Sequence, residues 1–225
     1  TANSKKMSFK NNQDSSGAND VYVTAGKELK IEAINNGQVS FESGIKGDTG
    51  GYDIAISGDT SGEVDFSAAV ENVNKLSLAN AQLKLANEAF LNNASIDITL
   101  GTLNIANNSI SSMNIANLTS NNGYVHLDVD PLTNTADVLM IDGDIVGDVG
   151  LILNVLSIDK STADILFADA QNDNPSTSGG FSVFRVLGSP YEWTTRYDAG
   201  SHQWFLPVPT AKSTSVTSEV MSYVA

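Results

Sequence analysis

The chain has 225 residues, with 26 acidic side chains against 12 basic ones, a formal net charge of −14 and 41% apolar residues. Such a surface repels nucleic acid, whose binding needs clustered Lys and Arg, and no apolar run is long enough for a membrane helix. Cysteine is absent, which excludes disulfides and thiolate metal sites.

Residues 1–20 are rich in Asn, Ser, Lys and Gly. They carry no signal-peptide pattern and read as a frayed connection to sequence further upstream.

Residues 21–130 contain a repeat. Short apolar-x-apolar units fall into two interleaved series. The first runs Leu29/Ile31, Ile54/Ile56, Leu76/Leu78 and Ile96/Ile98. The second runs Val39/Phe41, Val64/Phe66, Leu83/Leu85, Leu103/Ile105 and Val125/Leu127, and Met113/Ile115 adds one more unit. Within each series the units return every 19 to 25 residues or so. Alternation with period two predicts strands with one buried face. A regular return predicts one solenoid coil per return. Two or three short strands per coil describe a parallel β-helix. Asn80, Asn87, Asn92, Asn93, Asn107, Asn108, Asn117, Asn121 and Asn122 fall where turns are expected, and Asn tolerates left-handed backbone geometry. An antiparallel sandwich would also alternate. However, the Asn-Gly turns that mark hairpins occur only at Asn36-Gly37 and Asn122-Gly123. Ala79, Ala81, Ala86, Ala89 and Leu91 allow a helix over residues 70–91, but the Leu-x-Leu pairs keep the strand phase, so strand is expected.

Residues 135–206 hold short β-rich runs at 151–155, 165–168 and 181–187, each bounded by Gly, Asp, Asn or Pro. Both tryptophans, Trp193 and Trp204, lie near the end of this stretch beside Tyr191 and Tyr197. The stretch reads as a cap on the repeat.

Four elements of residues 126–225 resemble the end of bacterial autotransporter passenger domains. Asp137-Val138-Leu139-Met140-Ile141-Asp142-Gly143-Asp144-Ile145-Val146-Gly147 is similar to the signature Asp-x-Leu-x-(Val/Ile)-x-Gly-x-x-x-Gly. Val186-Leu187-Gly188-Ser189-Pro190-Tyr191-Glu192-Trp193 resembles Val-x-x-Gly-x-Tyr-x-Tyr, with Trp193 in place of the second Tyr. His202-Gln203-Trp204-Phe205-Leu206 resembles the Trp-Tyr-Leu element. Residues 218–225 resemble the lead into the membrane barrel, with Ser218 where Pro is usual.

The resemblance implies an all-β fold: a right-handed parallel β-helix with a C-terminal β-hairpin cap. Its parts are a frayed N-terminal connection (residues 1–20), parallel β-helix coils (21–130), an autochaperone-like C-terminal β-helix cap (131–212) and the start of a linker (213–225). It implies that Asp137, Leu139, Ile141, Gly143, Gly147, Gly188, Tyr191, Trp193, Trp204, Phe205 and Leu206 serve the folding of that cap. It also implies a membrane-proximal stem at the bacterial cell surface, reached through the periplasm and outer membrane. Its partners are an outer-membrane β-barrel beyond Ala225 and the surface of a host or neighbouring cell. Absence of cysteine fits passage through a pore as an unfolded chain.

Chemistry-bearing patterns are sparse. Gly47-Asp48-Thr49-Gly50-Gly51 resembles a protease nucleophile loop, but both histidines, His126 and His202, lie downstream of it. Asp48-Thr49-Gly50 and Asp59-Thr60-Ser61-Gly62 make a poor aspartic-protease pair. Asp142, Asp144 and Asp148, and the weaker pair Asp128 and Asp130, lack the ligand spacing of a calcium loop. They read as solvated turn carboxylates. His126 is expected to point outward and His202 to sit in a turn. Tyr191, Trp193, Trp204 and Phe205 suit either a sugar platform or cap packing, and packing is preferred. The expectation is therefore a non-enzymatic protein with no cofactor and no metal. The alternative is a polysaccharide-binding or polysaccharide-cleaving β-helix. Cleavage needs Lys or Arg beside clustered acids, and Arg occurs only at Arg185 and Arg196.

Overall fold

The computed structural model describes residues 1–3, 5–14, 17–170 and 179–212. Two long sheets dominate. The first stacks Glu28–Ile34, Tyr52–Gly58, Val73–Ala79, Ala94–Thr99, Ser112–Asn121, Val138–Ile141 and Ile165–Ala170 in that spatial order. The second stacks Lys6–Phe9, Gln38–Phe41, Glu63–Phe66, Gln82–Leu85, Thr102–Asn104, Gly123–Asp130, Val149–Val155 and Phe181–Leu187. Neighbours within these stacks are parallel. The chain passes from one sheet to the other and back, so each circuit adds one coil. A short third face begins where Val21–Val23 pairs with Ile45–Gly47 and Ile45 bridges Val70. The fold is an all-β parallel β-helix, whose crossovers are expected to be right-handed because L-residue strands twist that way. An antiparallel sandwich is ruled out by the parallel registers.

The register follows the sequence repeat. Leu29 faces Ile54, Ile54 faces Leu76, and Leu76 faces Ile96. On the second sheet Val39 faces Val64, then Leu83, Leu103 and Val125. Most of these side chains are buried in one continuous core. Stacking completes the burial of each coil's apolar residues and pairs its backbone groups, which one isolated coil cannot do.

The corner between the two sheets needs one left-handed residue per coil. Thr60 (φ 69), Asn80 (φ 52), Leu100 (φ 54), Asn122 (φ 53) and Gly147 (φ 77) occupy it in turn. The Asn80 N–H donates to the Thr99 carbonyl at 3.0 Å and the Leu100 N–H to the Asn121 carbonyl at 3.0 Å, so the corners form a ladder of their own. Asn36-Gly37 and Asn122-Gly123 are corners of this kind, not hairpins.

Four expectations are corrected. Residues 2–3 and 6–9 are not frayed: Ala2–Asn3 pairs with the first sheet, and Lys6–Phe9 lies in register with Gln38–Phe41. Phe9 stacks on Phe41 with centroids 4.9 Å apart. The coils do not stop near residue 130. Val125 faces Leu151 and Leu151 faces Val183, so parallel stacking persists through Phe181–Leu187. Asn117 does not turn the chain; it sits in a bulge of Ser112–Asn121, where Ala94 faces Ile115 but Ile96 faces Leu118. Within residues 70–91 the strand expectation holds at Val73–Ala79 and Gln82–Leu85 and fails at Glu88–Leu91, a single 3-10 turn.

Leu100 is, with the β-branched Thr60, poorly suited to its corner backbone, because a Cβ in the left-handed region costs roughly 1–2 kcal/mol and Asn relieves part of that. Its side chain is also 48% exposed, so little packing would be lost. Leu100→Asn is expected to raise stability by about 0.5–1 kcal/mol in urea denaturation. A net loss would mean that Leu100 contributes packing that outweighs the strain.

Candidate functional site

The residues singled out by the resemblance fall into two groups. In the first, Leu139 and Ile141 are fully inward, facing Met113 and Ile115 on one side and Ala168 and Ala170 on the other. Gly143 admits no side chain, because a Cβ would lie 2.3 Å from the Asn117 Oδ1 and 2.7 Å from the Ala116 carbonyl oxygen. Gly147 combines a positive φ with a Cβ position 2.0 Å from the Ser120 carbonyl oxygen.

Asp137 is fully buried. Its Oδ1 accepts the Ser111 N–H at 3.0 Å, and its Oδ2 accepts the Asp128 N–H at 2.7 Å. Asp128 is also fully buried. Its Oδ2 accepts the N–H groups of Asn107 (2.8 Å), Asn108 (2.5 Å) and Ser109 (3.2 Å), while its Oδ1 accepts the Asn154 amide at 2.5 Å. The two carboxylates therefore fold the 107–111 turn of one coil onto the Gly123–Asp130 strand of the next. Charge-assisted bonds of this kind are the strong ones. Asp130 braces the following turn, accepting the Leu132 N–H and the Thr133 hydroxyl. Asp128 and Asp130 are thus turn braces, and Asp128 is buried, not solvated.

The second group closes the C-terminal end. Arg196–Asp198 and Gln203–Leu206 form an antiparallel hairpin that pairs with Ile165–Ala170 and ends the first sheet. The expected hairpin cap is present. Trp204 is buried and meets Phe181 edge-on at 5.4 Å; Phe181 meets Phe167 edge-on at 5.3 Å. Leu206 is fully buried, and Phe205 lies under the Arg196 guanidinium at 4.8 Å. The Asp164 carboxylate ties this hairpin to the last coil, accepting Arg196 at 2.9 Å and the Val208 N–H at 3.3 Å. Trp193 is buried and donates its indole N–H to the Ser189 hydroxyl at 3.1 Å, which also accepts the Tyr191 N–H. Gly188 takes φ 77, with a Cβ position 2.7 Å from the Val155 carbonyl oxygen. Trp193 and Trp204 face the interior, which fits cap packing and leaves no sugar platform on them. Sequence reasoning missed Phe167, Phe181, Ser189 and Asp164. The short apolar runs held the first two, but no pattern marked the others.

The remaining candidates stand apart from one another. Asp48 accepts the Tyr22 hydroxyl and the Ala25 N–H, and these bonds lower its pKa from the ordinary carboxylate value. Asp59 accepts the Asn35 N–H and is held low mainly by the Ser61 hydroxyl. Both loops are corners of the coil. Asp142, Asp144 and Asp148 are exposed, and among the described residues no three His, Asp or Glu side chains converge on a metal position. His202 is in the hairpin turn with φ 56, as expected. His126 points outward but is only partly exposed, in a row with Asn104 and Ile152. Its Nε2 is buried with no hydrogen-bond partner.

Against known proteins, the chain matches no family model and no curated sequence. The resemblance stands on the motif residues themselves. Its last element, at 218–225, lies outside the described residues.

Removing the Asp137 carboxylate takes the acceptor from two amides, the buried Asp128 N–H and the partly buried Ser111 N–H. Asp137→Ala is expected to cost roughly 3–5 kcal/mol, and Asp137→Asn, which keeps one acceptor, clearly less. Equilibrium denaturation reads both; a loss below about 1 kcal/mol for the alanine variant would show that the turn finds other acceptors.

Burial lowers the pKa of His126; Asp128 opposes that shift and Arg185 adds to it. The unfolded chain then takes up this proton first, so the contribution of His126 to stability is complete above about pH 6.5 and declines as pH falls below it. Thermal melts should show a fall from pH 7 to pH 5 that is smaller in His126→Gln. Equal slopes in the two proteins would reject the assignment.

Proposed function

We propose that this chain is the membrane-proximal stem of a secreted bacterial autotransporter passenger. In this reading the C-terminal cap folds first outside the cell and templates the coils before it. The stem thereby promotes secretion across the outer membrane and presents an upstream adhesin or other virulence region at the surface. The partner in secretion is an outer-membrane β-barrel beyond Ala225. One observation carries the reading: the parallel stack is closed at its C-terminal end by a hairpin that contains the motif residues Trp204, Phe205 and Leu206.

The physical case rests on where a solenoid can begin to fold. A coil in isolation lacks partners above and below, so its stability comes from its neighbours and from whatever closes the end of the stack. The hairpin is local in sequence. Its Trp204, with Phe181 and Phe167, gives one end of the core a lid that needs no further coil. The alternative, a polysaccharide-binding β-helix, rests on surface features distinct from the cap.

The test compares folding kinetics of two variants. Trp204→Ala should cost roughly 3–5 kcal/mol and Ile31→Ala, in an N-terminal coil, roughly 2–4 kcal/mol. If the cap templates folding, Trp204→Ala slows refolding and leaves the unfolding rate nearly unchanged, while Ile31→Ala mainly speeds unfolding. The reverse partition would sink the templating role.

A further inference from the structure

We propose that the outer face of the second sheet carries a binding site for a neutral sugar ring, built on Tyr124 and Phe184. It stands independently of the folding role, because none of its residues is among those that the resemblance assigns to the folding of the cap.

Two separate devices expose these rings. Tyr124 faces Gly150, which faces Ser182, so the three form one outward row across adjacent strands. Gly150 is what lets the Tyr124 ring lie flat, since a Cβ there would sit 2.5 Å from the Tyr124 Cδ1. The second device is strand alternation. Phe181 and Val183 turn to the core, so Ser182 and Phe184 turn outward, and Phe184 is 62% exposed. A bulge follows, since Leu151 faces Val183 and Ile152 faces Arg185, and it re-aims Arg185 outward beside Phe184. The two rings meet at 4.5 Å between centroids, tilted by 48°. Covering a strand glycine takes one ring. The second ring leaves a large apolar face open to solvent.

That face lines a groove of about 220 Å³ with Asn122, Asp148 and Ser182 at its rim. The volume is below the roughly 300–1,000 Å³ of pockets that enclose a drug-sized ligand, and it suits one ring-sized group. The chemistry selects the group. A pyranose offers a flat face of C–H groups to an aromatic ring and equatorial hydroxyls around its edge. The groove supplies an aromatic floor, a carboxylate acceptor in Asp148, a donor and acceptor in Asn122 and a hydroxyl in Ser182. Asp148 and the net charge of −14 disfavour anionic sugars. The ligand class is therefore a neutral hexose unit of a glycan, bound weakly at an open face and strengthened by repetition along a polymer.

The experiment titrates the whole chain with neutral cello-, malto-, manno- and chito-oligosaccharides, and with oligogalacturonate as the anionic contrast. Two-dimensional NMR of the labelled protein reads the binding. The expected result is saturable shifts at Tyr124, Gly150 and Phe184 with at least one neutral oligosaccharide and none with oligogalacturonate. Phe184→Ala, an exposed position, should weaken binding roughly tenfold, as truncating an aromatic hot spot does. Phe184→Trp should retain binding, and Asp148→Asn should weaken it severalfold. The proposal is overturned if no neutral oligosaccharide gives saturable shifts at these residues, if the anionic sugar binds as well, or if Phe184→Ala binds like the parent.

Discussion

Where a turn of this β-helix takes backbone N–H groups off the ladder, they must be satisfied some other way. In this chain the answer is a side-chain oxygen lent by another coil. Asp128 and Asp137 do so while fully buried, clamping the 107–111 turn. Asp20 accepts the Ser43 N–H, Asp59 the Asn35 N–H, and Asn134 the N–H groups of Thr162 and Ala163. Much of the acidic composition is thus explained locally. A carboxylate is an acceptor with no donor, so it suits a cluster of amides better than any neutral side chain. The coils are held at their faces by apolar columns and at their corners by these oxygens.

The two ends of the stack differ. At the C-terminal end the hairpin turns antiparallel and lays Trp204 and Leu206 over the last coil, which converts an open edge into a finished one. At the other end Lys6–Phe9 leaves one edge without a ladder partner among the described residues. Met7 is 38% exposed there, and Phe9 shields Phe41 only from one side. The finished C-terminal end is the feature on which the proposed templating role rests.

The coil register was legible because the core imposes it. Leu76/Leu78 and Leu83/Leu85 keep period two, and their coils are nearly equal in length, so the same phase returns each time. The signal fades where coil length changes. From Val125 to Leu151 and then to Val183 the circuit grows, so the repeat was not traced past residue 130 even though the stacking continues. The polar composition of residues 2–3 and 6–9 hides their strands: these residues expose much of their surface yet still pair. The buried state of Asp128 was invisible for another reason. An aspartate in a strand beside a turn looks solvated, and only the fold brings three amides of another coil over it. Period two sets Phe184 outward, but its contact with Tyr124 across Gly150 depends on the register of neighbouring coils, which no local pattern shows.

The third face sets neither the register nor the core columns of the two sheets. It is a strand at Val21–Val23 and Ile45–Gly47, a 3-10 turn at Glu88–Leu91 and a braced turn at 107–111. The connection from the second sheet to the next strand of the first takes six residues at 67–72 and ten at 42–51, and the ladders absorb both lengths. Loop closure grows only slowly with length. The molecule is therefore modular on that side: foreign segments grafted between the second sheet and the next strand of the first should lengthen a circuit without disturbing the stack. A rod of this kind can diversify what it displays while its axis stays fixed.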